Sequence, residues 1–459
     1  MVSLSERRTE LADVLRSRRQ RLAQRCPFPA LLWSGGAASR NFPANRYPFR
    51  ASSHFLYFAG LPLPNAVIAL DQGHLTLFMD EPPASYELWH GKSDTREAIA
   101  QQIGADAVYP LSELAQRLPQ TEVATLAVQD PATRQKQAEV LGRVVGTSTA
   151  DQALVAAIVQ LRPLHDNYAL AQIQQAIAVT IAAHKAGMAA TPKATREAEV
   201  RGAMEAIILQ QGMTTAYNSI VTVQGEVLHN DRYHNPITTG DLLLADVGAE
   251  TALGWAADVT RTWPVSGQFS STQRDIYDVV LAAHDAAIAI VSPNIEYRDI
   301  HWRACRVLTE GLVDLGILVG DVDALLEADA HALFFPHGVG HLLGLDVHDM
   351  EDLGDVAGYA PGRCRSDRFG LGYLRLDRPL AAGMVVTVEP GFYQVPAILN
   401  DVERRSRYRS MVNWSRLEDF ADVRGIRIED DVLVSATGSQ VLTAALPTKA
   451  SAIEALVQA

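Results

Sequence analysis

Five segments carry the residues with chemistry to offer. "HGVGHLLGLDVHD" holds His337, His341 and His348, and four apolar runs end in or lead to a carboxylate. These are Asp246 in "LLLADVGAE", Asp258 in "GWAADVTRTWP", Glu389 in "VVTVEPG" and Glu429 in "GIRIEDD". His337 and His341 are spaced i, i+4, which on a helix would put both rings on one face, as in zinc peptidases of the H-E-x-x-H pattern. That reading fails because Gly338 stands where the catalytic Glu would be, and Gly338, Gly340 and Gly344 each disfavour an uninterrupted helix. The glycines read instead as slack that lets a non-helical chain present the rings. The histidines by themselves leave open whether all three ligate a metal, one does, or none.

The acids narrow the choice. A carboxylate among buried apolar neighbours is costly unless it is paired or bound to a cation. Singly, each has a plainer account. Asp246 or Asp258 could cap a turn. Glu429 could pair with a surface Arg427, since strand alternation puts Ile426 and Ile428 on one face and Arg427 with Glu429 on the other. Four strand-borne acids beside a glycine-flanked histidine cluster point together to a site for hard cations.

The elements that must position these residues follow from periodicity. "DLLLADVGAE" and "GWAADVTRTWPV" read as the arms of a hairpin around "ETALG", which would bring Asp246 and Asp258 onto neighbouring strands. The interval from Asp246 to Asp258 is long by one residue, an excess to be absorbed as a bulge or a longer turn in "ETALG". "SIVTVQ", "MVVTVEPGFY" and "GIRIEDDVLVS" are further strand signals. Helices are expected over 167–190, 194–211 after a capping threonine, 271–291 and 296–315. Ser270 and Gln273 give the third of these a capping-box pattern. The order is α+β, so a mixed or antiparallel sheet covered by helices is expected. Before a boundary near Pro163 lies a smaller α/β pattern, with a basic N-terminal helix and the strand-like runs "NAVIAL", "LTLFMD" and "VATLAVQD".

Bulk properties exclude other classes. The chain has 459 residues, and single cores stop growing near roughly 250–300 residues, so two or three domains are expected. A net charge of -13 argues against nucleic acid or an anionic membrane as partner, since both need basic surface. The three cysteines are scattered and suggest neither a disulfide framework nor a thiolate metal site. No apolar run is long enough to span a membrane, and the charged N-terminal stretch does not read as a signal peptide, so a cytoplasmic location is expected.

Taken in order, "LLADVGAE", "ADVTRTWP", "HGVGHLLGLDVHD", "TVEPGFY" and "GIRIEDD" resemble the pita-bread metallopeptidases of family M24. Within them the chain is similar to the aminopeptidase P and prolidase group, which cleaves bonds involving proline. "YPFRASSHFLYFAGL" and "LFMDEPPASYELWHGK" resemble that group's N-terminal domain. The resemblance implies an N-terminal α/β domain over 1–155 and a catalytic pita-bread (creatinase/aminopeptidase) fold over 165–459. It implies two divalent ions, Mn²⁺ first with Co²⁺ or Zn²⁺ as alternatives, held by Asp246, Asp258, His341, Glu389 and Glu429. Asp246 would chelate one metal, Asp258 and Glu429 would bridge the pair, and His341 and Glu389 would complete the second sphere.

His229, His337 and His348 match substrate-side and catalytic histidines, Glu389 matches a proton shuttle, and Arg427 with Tyr393 match outer-shell supports. Arg407 or Arg409, in the long stretch before Glu429, could meet a substrate carboxylate, as an arginine of that loop does in prolidase. The implied activity is an Xaa-Pro aminopeptidase, in which a metal-bridging hydroxide cleaves the N-terminal Xaa-Pro bond of proline-containing peptides. An Xaa-Pro dipeptidase is the alternative and a metal-free peptide-binding module a remote one. A homodimer or homotetramer is implied by resemblance alone.

Overall fold

In the computed structural model, residues 4–83 and 85–459 are described, with side chains from residue 11 onward. The first three residues of the basic N-terminal stretch, and Ala84 in "LFMDEPPASYELWHGK", lie outside them. The chain forms two compact units. One runs up to Arg162 and includes Ala252–Gly254, and the other comprises Pro163–Thr251 and Trp255–Ala459.

The first unit opens with helix α1 (Leu4–Ala23). Its sheet has strands β1 (Ala30–Trp33), β2 (Val67–Asp71), β3 (His74–Phe78), β4 (Ala107–Tyr109) and β5 (Ala124–Thr125), in spatial order β4-β3-β2-β1-β5. β2 and β3 form a hairpin whose register runs from Val67↔Phe78 to Asp71↔His74. Its two-residue turn, Gln72-Gly73, has both residues at positive φ, the conformation that matches the twist of paired strands. At the two edges β4 pairs in parallel with β3 and β5 in parallel with β1. Leu31, Trp33, Val67, Phe78 and Val128 pack into one core on this sheet.

The second unit carries the strand-borne acids. Helices α2 (Asn167–Ala190), α3 (Glu197–Gln210), α4 (Ser271–Ile288) and α5 (Tyr297–Asp314) pack as two pairs, α2 with α3 and α4 with α5. α2 has the bounds its periodicity predicts, and α4 starts with the reciprocal Ser270–Gln273 capping box. α3 starts three residues later than expected, with Arg196 at the cap position and no side-chain cap.

The strands of three or more residues in this unit are β6 (Ile220–Thr222), β7 (Leu242–Asp246), β8 (Thr260–Pro264), β9 (Val385–Val388), β10 (Gly391–Tyr393), β11 (Gly425–Arg427), β12 (Asp430–Val434) and β13 (Ser439–Val441). They associate as β8-β7-β6, β9-β12-β13 and β10-β11, and every pairing is antiparallel. The expected hairpin is β7–β8. Its register runs unbroken from Leu242↔Pro264 through Asp246↔Thr260 to the bridge Glu250↔Ala256. The long interval is therefore taken up by the turn alone, closed by Thr251 N donating to Trp255 O at 2.9 Å, and no bulge is needed.

Candidate metal centre

The hairpin register puts Asp246, Asp258 and Thr260 on one face, because Thr260 lies opposite Asp246 and Asp258 is two residues from Thr260. Gly248 lies opposite Asp258 with no room for a side chain; a Cβ there would stand 1.8 Å from Ala257 O. Glu429, in the link between β11 and β12, is drawn alongside when its amide donates to Thr260 O at 3.1 Å. Glu389 follows β9, and its amide donates to Val339 O at 2.8 Å. His341 pairs with the same strand in both directions: its amide donates to Thr387 Oγ1 and its carbonyl accepts from Thr387 N.

The glycines of the histidine segment are therefore not slack, as the sequence suggested. At Gly340, with φ +152°, a Cβ would stand 2.3 Å from Thr387 O. The residue permits a close approach of two backbones that fixes His341 and Glu389 relative to one another.

Asp246, Asp258, His341, Glu389 and Glu429 line one cavity of about 410 Å³ together with His229, His337, His348 and Arg427. Asp258, His341 and Glu429 are the tightest group, with one ligand atom from each lying within 4.8 Å of the others. His341 Nε2 is 3.4 Å from Asp258 Oδ2 and 3.6 Å from Glu389 Oε1. Its Nδ1 sits 3.1 Å from Leu342 O. A carbonyl can only accept, so Nδ1 carries the hydrogen and Nε2 turns its lone pair toward the two carboxylates. A lone pair facing carboxylate oxygens is repulsive unless a proton or a metal cation stands between them.

The acids say the same. Burial, then Asp246, pushes the Asp258 carboxyl well above its ordinary range. Burial, then Asp258 and Glu389, does so to Glu429. Burial raises Glu389 to about 7, against the opposing pull of His341 and Arg427. Carboxylates stripped of water and crowded together favour a charge-compensating cation, so the residues fit divalent metal.

A network of neutral and cationic donors holds the acids. Thr260 Oγ1 donates to Glu429 Oε2 at 2.6 Å and accepts from Arg427 Nε at 2.9 Å. Arg427 is buried and reaches Asp246 Oδ2 at 2.6 Å. The surface Arg427–Glu429 pair that alternation allowed is therefore not what forms. Tyr217 OH is hydrogen-bonded to both Asp246 and Asp258.

Arg427 also donates to Tyr393 OH at 3.1 Å, and Tyr393 OH lies 2.9 Å from His337 Nε2. His337 Nδ1 is 2.8 Å from Gly338 O, so Nδ1 is the donor and Nε2 accepts from the tyrosine. Burial, then Arg427, lowers His337 to about 3, which keeps the ring neutral. His348 Nδ1 donates to Glu351 Oε2 at 2.6 Å, and Glu351 accepts from Arg375 Nε at 3.2 Å. Burial, then His341, lowers His348 to about 4.

Arg407 and Arg409 do not line this cavity. Arg407, at the end of the helix Val402–Arg407, donates to Ala328 O at 3.2 Å, and Arg409 is exposed. The arginine that does line the cavity besides Arg427 is Arg375. Sequence reasoning missed it, together with Tyr217 and Thr260. Thr260 had a usable signal, being two residues from Asp258 on one strand face. Tyr217 and Arg375 had none, because their partners come from elsewhere in the chain.

Comparisons with known proteins agree with this geometry. Residues 171–436 match the model of metallopeptidase family M24, and residues 15–126 that of the aminopeptidase P N-terminal domain. The Xaa-Pro aminopeptidase of Escherichia coli (strain K12) is 32% identical over 450 residues, covering 94% of this chain and 93% of that protein. The Xaa-Pro dipeptidase of Homo sapiens is 32% identical over 425 residues, covering 89% and 84%. The solved structure of E. coli aminopeptidase P with the inhibitor Pro-Leu superposes with a TM-score of 0.79 at 29% identity, covering 97% of this chain and 98% of that one. Pseudomonas aeruginosa aminopeptidase PepP gives a TM-score of 0.78 with the same coverage.

Proposed function

The chain belongs to metallopeptidase family M24, and from that premise we propose that it is an Xaa-Pro aminopeptidase, removing the N-terminal residue from peptides whose second residue is proline. The observation that carries this reading is the turn of the His341 Nε2 lone pair toward buried Asp258 and half-buried Glu389, with Glu429 in the same close group, in a cavity that also holds three further histidines. We assign Asp246, Asp258, His341, Glu389 and Glu429 to hold two divalent ions. Oxygen-rich ligation with one imidazole favours Mn²⁺, with Co²⁺ or Zn²⁺ as alternatives. Bound there, the ions would supply Lewis acidity and lower the pKa of the attacking water.

The protein's own groups account for the rest. Glu389, at the wall of the cavity beside His341, can take the proton of the attacking water on a carboxylate oxygen and return it to the departing prolyl nitrogen. His348 Nδ1 is held by Glu351, so Nε2 can donate to the carbonyl oxygen only once the ring has taken up a proton from solvent, a form that Glu351 favours and burial opposes. His337 has both ring nitrogens committed to Gly338 O and Tyr393, so it serves as a neutral wall beside the substrate. Arg427 and Tyr393 steady Asp246 and His337. An Xaa-Pro bond is a tertiary amide with no N–H to satisfy, and Leu228, Pro336 and Ile398 offer the pyrrolidine ring apolar surface.

The Xaa-Pro dipeptidase reading is favoured by the likeness to the human dipeptidase. Hydrolysis of Ala-Pro-Pro and Ala-Pro, assayed with added Mn²⁺ and then with chelator, separates the two. Turnover of the dipeptide alone would reject the aminopeptidase assignment. Activity that survives complete metal removal would reject both. The unpaired cysteines fit a reducing compartment, and we infer a cytoplasmic enzyme, assembled as a homodimer or homotetramer on the strength of the resemblance.

A further inference from the structure

Four histidines line the cavity, and three have a ring nitrogen fixed by the protein: His337 by Gly338 O and Tyr393, His341 by Leu342 O, His348 by Glu351. His229 differs. Among the described residues nothing hydrogen-bonds to its ring, and it is exposed at the cavity's edge. Its position is therefore set by the backbone that carries it, the loop of residues 223–235.

That loop leaves β6 and returns to the start of α3, and one carboxylate ties its two ends together. Glu197, the first residue of α3, is fully buried. Its Oε1 accepts from Thr222 Oγ1 and from Val223 N, each at 2.9 Å, where the loop departs. Its Oε2 accepts from Asn235 N at 3.2 Å where the loop returns, and Asn235 Nδ2 reaches both oxygens at 3.0 Å. In the other direction, the amides of Glu197 and Ala198 donate to Asn235 O and Tyr233 O, so the loop satisfies the uncapped first turn of α3. A carboxylate there also gains from the positive potential of the helix N-terminus.

The loop is also held at other points: Asn230, next to His229, donates to the same Thr222 Oγ1 at 2.7 Å, and Tyr233 OH donates to Ser219 O at 2.5 Å. Gly225 packs so closely on Gly425 that a Cβ would stand 2.7 Å from Gly425 O, and Glu226 pairs with Arg424 beside it.

We propose that Glu197 is a positioning residue for the peptidase reaction: by tying Val223 to Asn235 it fixes the loop that presents His229 to the substrate. The proposal rests on the reading of His229 as a substrate-side residue. Closing the loop at its base removes freedom that its exposed middle would otherwise have, and small displacements of a substrate-contacting group carry large rate penalties.

The test uses the Mn²⁺-loaded enzyme and the variants Glu197→Gln, Asn235→Ala, His229→Ala and Glu197→Gln/His229→Ala. Gln keeps the shape of Glu197 but turns an amide NH₂ toward the Asn235 donors, and Asn235→Ala removes donors from the other side should Glu197→Gln fold poorly. Three readouts are needed: kcat and KM on Ala-Pro-Pro, bound Mn²⁺, and amide hydrogen exchange over 223–235. In Glu197→Gln and in Asn235→Ala, kcat/KM is expected to fall about tenfold, exchange in the loop to quicken and metal content to hold. In the His229→Ala background, Glu197→Gln should add no further loss. Additive losses in the double variant overturn the proposal, as does loss in His229→Ala with none in Glu197→Gln and Asn235→Ala. Full turnover by His229→Ala would overturn the underlying reading of His229, and the proposal with it.

Discussion

Thr260 joins the acid cluster to its cationic support, and Thr260→Val tests that junction with almost no change of volume. The wild-type hydroxyl donates to Glu429 Oε2 at 2.6 Å and accepts from Arg427 Nε at 2.9 Å, and the residue is fully buried. Hydrogen bonds to charged groups contribute about 1.5–3 kcal/mol each, so their gross loss is roughly 3–6 kcal/mol. Most of that is lost from the metal-free and the metal-loaded protein alike. The difference between the two states is the part that orients Glu429 for a cation. Loss of such an outer-shell partner costs about 10–100-fold in metal affinity, or roughly 1.4–2.7 kcal/mol. The assay is Mn²⁺ titration of the metal-free protein by calorimetry, beside kcat on Ala-Pro-Pro at saturating Mn²⁺. Thr260→Ser keeps the hydroxyl and should recover most of the affinity. A Thr260→Val protein that folds and binds Mn²⁺ within twofold of wild type would refute the reasoning, because the hydroxyl would then be irrelevant to Glu429.

Three further outcomes are expected. His341→Ala should lower the metal content of the purified protein, whereas His348→Ala should lower turnover with the metal content intact; metal analysis beside kinetics checks this, and metal loss in His348→Ala would undo the division. Gly340→Ala would put a methyl 2.3 Å from Thr387 O at φ +152° and should destabilise by roughly 3 kcal/mol, read as a lower denaturant midpoint. Acid should cost the protein stability through His331, read against His331→Gln because the buried cavity acids, whose carboxyls are raised, shift stability the opposite way in the metal-free protein. Burial holds His331 down at about 4, against 6.5 unfolded, and its Nδ1 has no hydrogen-bond partner. The unfolded chain thus binds more protons between those values, so this contribution is complete above pH 6.5 and is lost as pH falls toward 4. By pH 5 about 2 kcal/mol of it is lost at His331. His301, lowered by burial to about 3, acts in the same direction. Urea melts of wild type and His331→Gln at pH 7.5 and pH 5 check it, and a wild-type midpoint that does not fall relative to the variant's at pH 5 would contradict it.

Much of the frame was legible in the sequence because it depends on neighbours in the chain. The bounds of α2 follow from a helical period and the capping box of α4 from residues three apart, while alternation set the arms of the Asp246–Asp258 hairpin. The segments bearing His229, Asp246, Asp258, His337, His341, His348, Glu389, Arg427 and Glu429 were identifiable by residue type and order, and all nine residues line one cavity.

Partners were not legible. Arg427 alternates beside Glu429 on paper yet spends its charge on Asp246, 181 residues away, and Tyr217 and Arg375 carry no local mark of their place. The arginines singled out before Glu429 show the same limit, since a charge on a helix surface carries no sign of where the cavity lies. The glycines around His341 looked like flexibility in one dimension and are a close contact in three. The sequence by itself determined which residue types arrive and on what strand face, since one chain's own 2- and 3.6-residue periods decide that. The tertiary structure decided which imidazole nitrogen is left with its lone pair and which carboxylates it faces. Those depend on donors and acceptors that meet only when distant segments pack and shed their water.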